Sequence, residues 1–133
     1  MNGDDDMVPS DKIIMLPNGL KVINTTPHPI TFETESGVLI TVPSCGFLLN
    51  AKFEEKETEG PLAGLNYVKS EFLETVLGRR FIDEIPEDVL IIGSLIAAQT
   101  YNGEVALTVP FKGGHRKVAG AGKTYCMDKF TIF

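Results

Sequence analysis

The stretch VINTTPHPITF, residues 22–32, joins two strand-like segments through a turn that places one of the chain's two histidines between two prolines. A proline ring fixes φ at about −65° and removes a backbone N–H. The residue before a proline is pushed into the extended region, so Pro27 and Pro29 hold Thr26 and His28 extended. We expect the imidazole of His28 to project from a stiff piece of chain, which either serves a ligand or simply closes a strand.

Strand patterns continue on both sides of this turn. KIIML, residues 12–16, is followed by PNG and then by LKVIN, residues 20–24, which predicts a hairpin. PITFE, residues 29–33, and VLITVP, residues 38–43, flank a turn that contains Ser-Gly and predict a second hairpin. The segment FLLNAKFEEK, residues 47–56, is expected to be a further strand that fades into solvent before an exposed loop rich in glycine and proline.

The middle of the chain shows helical spacing. In SEFLETVLGRR, residues 70–80, apolar side chains recur at i, i+4 behind Ser70, a suitable N-cap, and this favours a short helix. The apolar run VLII, residues 89–92, predicts a buried strand. It leads into a second short helix over residues 94–101, which Asn-Gly ends.

Two further strand patterns, over residues 105–110 and 124–133, complete the chain. The acidic start, residues 1–11, is expected to be disordered, and residues 12–133 to form one globular domain. The predicted fold class is α+β: a single small domain dominated by antiparallel β structure, with one or two short helices. Because an apolar end is unfavourable in solvent, we expect three side chains near the C-terminus to be paired inside the sheet (Phe130, Ile132 and Phe133).

Composition and charge restrict the classes of partner. The chain has 133 residues, 43% of them hydrophobic and 23% charged, which is typical of a globular protein. Its longest apolar run is far shorter than the ~20 residues of a membrane span, and its acidic start does not resemble a signal peptide. We therefore expect an intracellular protein with no membrane partner.

The net charge of −6 is unevenly distributed. Residues 1–110 carry 7 basic and 17 acidic side chains, whereas residues 111–133 carry 5 basic and 1 acidic. The acidic body argues against general binding to nucleic acid, because phosphates are repelled at long range. The basic segment is a candidate for one small anion, or only a loop that its lysines keep soluble.

The glycine-rich segment before the last strand does not fit the P-loop motif. GAGKT, residues 120–124, fails the P-loop spacing because the position five places before Gly122 holds Lys117. What remains is KGGHRKVAGAGK, residues 112–123, in which backbone N–H groups and cations could bind an anion. The alternative is a simple hairpin loop.

Other catalytic and metal chemistry has no supporting pattern. Ser94 follows a strand and begins a helix, but a nucleophile elbow requires glycine where Ile96 stands, which leaves an N-cap or a ligand contact. The two cysteines are expected to be free thiols in a reducing cytosol, with a bridge plausible only in a hyperthermophile. Histidines and cysteines lack metal-ligand spacing, and we predict no metal or cofactor (His28, Cys45, His115 and Cys126).

Several segments together resemble an uncharacterised family of small phage and archaeal-virus proteins that share an N-terminal N-x-T-P-H strand motif. VINTTPHPITF is similar to the family's first strand, and VPSCG to its Pro–Ser–Gly turn. IPEDVLIIGSLIAAQ and VALTVP are similar to its later strands, in the same order over residues 22–110. The resemblance implies a viral context and no particular reaction. The acidic start, the enlarged acidic middle and the basic loop depart from the family.

Carried over by position, the family's recurring residues are Asn24, Thr26, Pro27, His28, Pro43, Gly46, Ser94 and Pro110. We expect a structural role in turns for six residues: Asn24, Thr26, Pro27, Pro29, Pro43 and Gly46. We expect His28 and Ser94 to contribute to one concave ligand-binding site with Arg116 and Lys117 at its rim. The alternative for His28 is a ring nitrogen that is hydrogen-bonded to a neighbouring carbonyl and needs no ligand.

The sequence therefore favours a virus-encoded accessory protein of the host cytoplasm that binds a host or viral protein, or a small phosphorylated ligand, without catalysis. One alternative is a hydrolase that uses His28 as general base. Another is a structural or virion-associated protein whose acidic loop and apolar terminus mediate assembly. The oligomeric state is open, and a homo-oligomer is one possibility.

Overall fold

The computed structural model describes residues 8–111 and 123–133. In this described part of the chain, nine strands and two α-helices form a small single domain, and a 3₁₀ helix at Ser10–Lys12 precedes them. The strands are β1 (Ile14–Met15), β2 (Lys21–Asn24), β3 (Ile30–Glu33), β4 (Leu39–Val42), β5 (Ala51–Thr58), β6 (Tyr67–Glu74), β7 (Val89–Ile92), β8 (Val105–Pro110) and β9 (Tyr125–Thr131). The helices are α1 (Val76–Glu84) and α2 (Leu95–Thr100). Neither of these helices has the length or apolar character needed to cross a bilayer.

Seven strands form one sheet in the order β1-β2-β7-β8-β9-β3-β4, and β5 pairs only with β6. The pairs β2–β7, β7–β8 and β3–β9 are parallel, and the others are antiparallel. The strand-rich α+β domain with two short helices is therefore confirmed, but the sheet is mixed rather than mainly antiparallel. The reason is that β7 returns beside β2 after a long excursion through β5, β6 and α1, and such crossovers permit parallel pairing.

Alternate side chains of the central strands enter two different apolar clusters, because successive residues of a strand point to opposite faces. Ile23 and Ile91 pack with α1 and α2 on the helix-covered face. Val22 and Ile92 pack on the other face, inside the curl of the sheet, with Phe32. The curl brings β2 near β4 and so closes the domain around its second cluster.

The first helix begins later than the sequence predicted. β6 continues to Glu74, so Ser70 lies inside a strand and is not an N-cap. The helix α1 starts at Val76, and its N-cap is Thr75, whose Oγ1 accepts a hydrogen bond of 2.8 Å from the Gly78 N–H. The i, i+4 spacing that favoured a helix over 70–80 is thus divided between a strand and the helix that follows it.

The two ends of the described chain differ in how closely they pack against the rest of the domain. Val8 packs against the helix-side cluster, within the region predicted to be disordered, and residues 1–7 of that region lie outside the described residues. At the other end, β9 lies between β8 and β3 as expected. The prediction for the last residues was wrong in part, because Ile132 and Phe133 extend beyond β9 and are exposed.

The remaining local predictions agree with the structure. The two predicted hairpins are β1–β2 and β3–β4. The second helix is α2, and the Oγ of its N-cap Ser94 accepts a hydrogen bond of 3.2 Å from the Ala97 N–H. Cys45, which is buried, and Cys126, which is partly exposed, are both free thiols.

Candidate functional site

The turn that contains His28 is held by the buried side chain of Asn24. Its Nδ2 donates hydrogen bonds to the carbonyls of His28, at 2.8 Å, and Val42, at 3.2 Å. Its Oδ1 accepts from the backbone N–H of Thr26 at 2.9 Å and from the Thr26 hydroxyl at 2.7 Å. The Asn24 carbonyl also accepts from the Cys45 N–H at 2.8 Å. The side-chain amide of Asn24 therefore stabilises the conformation of the turn and joins the end of β2 to the end of β4.

The next residue attaches the same turn to the adjacent strand. Both the backbone N–H and the hydroxyl of Thr25 donate to the carbonyl of Ile92, at 2.9 and 2.7 Å. Thr25 is buried. Since Asn24 lies beside Ile92 in the parallel β2–β7 pair, His28 and Ser94 both follow the carboxyl ends of neighbouring strands. The two residues therefore follow the same end of the sheet, and their side chains are not hydrogen-bonded to each other; a shared ligand site stays a prediction.

His28 itself is exposed, as are the two prolines beside it. Its carbonyl is engaged by Asn24, but its ring makes no hydrogen bond to any residue within 8–111 or 123–133. Ser94 is also exposed, and its Oγ is engaged at the start of α2. The two other residues of the predicted site, Arg116 and Lys117, lie outside the described residues.

The other predicted turn residues occupy the corner that follows β4. Pro43 comes directly after the strand, and Gly46 has a φ of +92°, a backbone conformation that side chains with a Cβ rarely adopt. The Gly46 N–H is bonded to the Ser44 hydroxyl at 3.3 Å. This corner lies next to the His28 turn because the Cys45 N–H is bonded to Asn24.

A cleft of about 920 Å³ opens at the far end of the sheet, between the β3–β4 turn and β9. Its lining includes the carboxyl groups of Glu33, Glu35 and Asp128 and the ammonium group of Lys129. Glu33 is buried and its Oε1 accepts from the Thr124 hydroxyl at 2.8 Å. This described lining is more acidic than basic and does not favour a small anion.

The most prominent surface feature is a two-stranded arm, residues 51–74, made of β5, β6 and the loop between them. All eight residues of each strand pair in one unbroken register, from Ala51 opposite Glu74 to Thr58 opposite Tyr67. No residue of either strand is buried. The arm is therefore an exposed hairpin that contributes no residue to either apolar cluster, although both of its strands contact α2.

One face of the arm carries large apolar side chains in solvent. Phe53 lies opposite Phe72, with ring centroids 5.2 Å apart and the planes tilted by 49°. The exposed fractions are 53% for Phe53, 44% for Phe72 and 50% for Val68, which lies on the same face. We call these three residues the apolar face of the arm.

The base of the arm is tied together by a single hydroxyl group. The Oη of Tyr101, a fully buried residue, accepts from the Thr75 N–H at 3.0 Å and donates to the Asn50 carbonyl at 3.2 Å. These two backbone groups flank the arm on either side. A Cβ on Gly78 would overlap this hydroxyl, so the glycine lets α1 approach it closely.

An arginine with three carboxylate partners reinforces the same base. The guanidinium of Arg79 pairs with two oxygens each of Glu74, at the end of β6, and Glu104, before β8, and with Asp83 at 3.1 Å. It also lies over the Tyr101 ring, 5.8 Å from the centroid. Hydrogen bonds from Arg79 lower the pKa of both Glu74 and Glu104. The orientation of the arm is thus fixed at its root.

Neither the arm nor its anchors Tyr101 and Arg79 were singled out from the sequence. Phe53 falls in a segment that was interpreted as a strand fading into solvent and Phe72 in one interpreted as a helix, whereas Val68 lies in neither segment. Among the described side chains, no three histidine, cysteine or acidic residues come together in a way that could hold a metal ion.

Comparison of the chain with protein-family models, with curated proteins and with solved structures finds no match in any of the three.

Proposed function

We propose that this chain is a small, virus-encoded accessory protein that acts by binding another protein chain, without catalysis, and that the arm is its binding surface. The viral context follows from the resemblance of the His28 turn and the later strands to the phage and archaeal-virus family. The observation that carries the binding role is the apolar face of the arm. Exposed apolar patches mark protein–protein interaction sites, and here the contiguous part is the Phe53–Phe72 pair, with Val68 beyond Ser70 on the same face.

The energetics of the arm favour a partner. Three large side chains remain about half exposed. Burying the exposed part of each against a partner would contribute roughly 1 kcal/mol to the free energy of binding. The arm is also held rigidly at its base by Tyr101 and Arg79. A pre-oriented surface loses little conformational entropy on association, which improves affinity.

A protein partner is favoured over a small phosphorylated ligand at the edge that carries His28 and Ser94. The Ser94 hydroxyl already accepts a hydrogen bond from α2, and that helix has only six residues. The cleft at the other end of the sheet has three carboxylates and one ammonium group among its described lining residues, so its charged groups are mainly acidic. The arm, by contrast, presents apolar groups that water solvates poorly.

Site-specific photo-crosslinking tests this proposal. A photoreactive phenylalanine analogue replaces Phe53 in the full chain, expressed in the cells that naturally make it, and adducts are identified by mass spectrometry. The matched control places the same analogue at Val38, an exposed apolar residue just before β4. We expect protein adducts from position 53 well above the level at position 38. Equal yields at the two positions would overturn the proposal.

A further inference from the structure

We propose that the arm's partner is a second copy of this chain, with β6 pairing antiparallel to β6 of the partner about Ser70. This inference rests on the proposed function and specifies its partner. Two arms would then form a four-stranded sheet in the order β5-β6-β6-β5, in which Phe53, Phe72 and the partner's Val68 form one row across the sheet, with Phe53 one strand away from the partner. The argument uses the edge of β6, the charges within the arm and the order of residues along the strand.

The outer edge of β6 is open and regular. Within residues 8–111 and 123–133, β6 pairs with β5 on one side only, and the eight-residue register between them has no bulge. The strand contains no proline. Proteins usually protect an edge strand with a bulge, a proline or a covering element, because its free N–H and C=O groups attract another strand. A bulge and a proline are absent here, and the exposure of the strand argues against a cover. Charged side chains, which also keep edges from pairing, are present as Lys69 and Glu71, but their order makes them complementary between two copies.

The charges inside the arm conflict with one another. Glu54 lies directly opposite Glu71, and on the same face the next pair is Lys56 opposite Lys69. Like charges directly opposite in a sheet are destabilising. Glu54 has an ion pair with Lys52 along its own strand, at 3.4 Å, but neither Glu71 nor Lys69 has an opposite charge directly across from it in the arm.

A second copy supplies the missing charges. Antiparallel pairing centred on Ser70 places Lys69 opposite the partner's Glu71, and Glu71 opposite the partner's Lys69. Side chains directly opposite in such a pair have Cβ atoms about 4.5–5.5 Å apart, within reach of an ion pair. The two-fold symmetry repeats this contact, so both conflicts on β6 are relieved at once.

The other residues of β6 are self-complementary in the same register. The centre of the register is polar and uncharged. A charged pair follows on each side of the centre, and beyond it apolar residues meet apolar residues. The pairs are Tyr67 with the partner's Leu73, Val68 with the partner's Phe72, Lys69 with the partner's Glu71, and Ser70 with the partner's Ser70.

β5 does not share this property. The same operation on β5, centred so that Glu54 meets the partner's Lys56, places Glu55 opposite the partner's Glu55 and Phe53 opposite the partner's Glu57. A like-charge centre and a mismatched aromatic disfavour that arrangement. The sequence order therefore selects β6 as the strand that pairs.

Sedimentation equilibrium of charge variants of the full chain tests the proposal. Wild type is expected to form dimers reversibly as concentration rises. Glu71→Lys and Lys69→Glu each place like charges between the copies and should raise the dimer dissociation constant roughly tenfold or more. Each change also creates an opposite-charge pair within the arm, with Glu54 or Lys56, so the hairpin itself should not be weakened.

Two further measurements make the outcome decisive. A mixture of the Glu71→Lys and Lys69→Glu chains should form heterodimers, since each chain then supplies what the other lacks. The matched control is Glu54→Lys, the same charge change on the other strand of the same pair, which should leave the dimer intact. Circular dichroism melts verify that each variant is folded.

Three results would overturn the self-pairing. They are a wild type that stays monomeric at every soluble concentration, a mixture that fails to associate, and an equal effect of Glu54→Lys and Glu71→Lys. A monomer whose Phe53 position crosslinks to a different protein would remove the self-pairing and leave the proposed binding function standing. A monomer without such crosslinks would remove both.

Discussion

Replacing Tyr101 with phenylalanine should loosen the base of the arm. The change removes only the hydroxyl that joins Thr75 to Asn50. Each lost hydrogen bond is worth about 1 kcal/mol, and a backbone group left without a partner adds a desolvation cost. We expect the free energy of unfolding to fall by about 2–3 kcal/mol. Amide exchange should also quicken at residues 51–74 relative to the central strands, because the two ends of the arm are no longer joined.

A second substitution turns this expectation into a thermodynamic cycle. Gly78→Ala should normally stabilise a helix interior by about 1 kcal/mol. Here the added Cβ would overlap the Tyr101 hydroxyl and lie 2.8 Å from the Thr75 Oγ1, so we expect a net loss of about 1–3 kcal/mol. Once the hydroxyl is gone, the worst overlap disappears. Gly78→Ala should then cost at least about 1 kcal/mol less in the Tyr101→Phe background.

Urea unfolding of the four proteins, namely wild type, both single variants and the double variant, measures this coupling. A stability effect of the two changes that is additive to within about 0.5 kcal/mol would refute the contact between Gly78 and the hydroxyl. Unchanged amide exchange in the arm of Tyr101→Phe would refute its role as the tie at the base.

Two further predictions concern the His28 turn and the arginine at the base of the arm. Asn24→Ala should lower the free energy of unfolding by about 3–4 kcal/mol, because it removes all four hydrogen bonds of a buried side chain, among them the buried one to the Val42 carbonyl. Asn18→Ala, which removes an exposed amide, should cost less than about 1 kcal/mol in the same urea assay. Because Arg79 lowers the pKa of Glu104, that carboxylate stabilises the fold above the ordinary glutamate pKa of about 4.3 and stops doing so as the pH falls through its lower native pKa. Glu104→Gln should therefore reduce stability at pH 7 and flatten its decline in acid, and an unchanged pH profile in urea titrations would contradict this.

Local signals in the sequence predicted much of the fold. The turn residues between β1 and β2, and between β3 and β4, mark the two hairpins directly. Ser94 combines an N-cap residue with a preceding apolar run, so the start of α2 could be placed closely. These features depend on residues a few positions apart, which a single sequence displays.

The features that were missed depend on contacts between distant residues. The mixed sheet arises because β2 pairs with β7, more than sixty positions later. The arm was divided between a strand and a helix because β6 packs on no core and so has no regular alternation of buried and exposed residues. The sequence feature that could have pointed to the arm is the order of YVKSEFL, residues 67–73, in which residues equidistant from Ser70 are complementary. This feature can be interpreted only once the segment is known to be a strand.

The candidate site was predictable to a similar degree. Two prolines imply an exposed and rigid His28, and that exposure is observed. The proximity of the His28 turn to Ser94 requires knowledge of the parallel β2–β7 pair. The roles of Tyr101 and Arg79 could not be anticipated, because their partners lie far away along the chain.

The tie at Tyr101 also bears on how this chain could change in length over evolution. The Asn50 carbonyl and the Thr75 N–H lie within 3.2 Å of one oxygen atom, so the gap between them is no wider than a tight turn can bridge. The intervening segment, residues 51–74, could therefore be shortened, exchanged or deleted while the remaining backbone keeps its path. Descendants could acquire new partners by remodelling this insert alone.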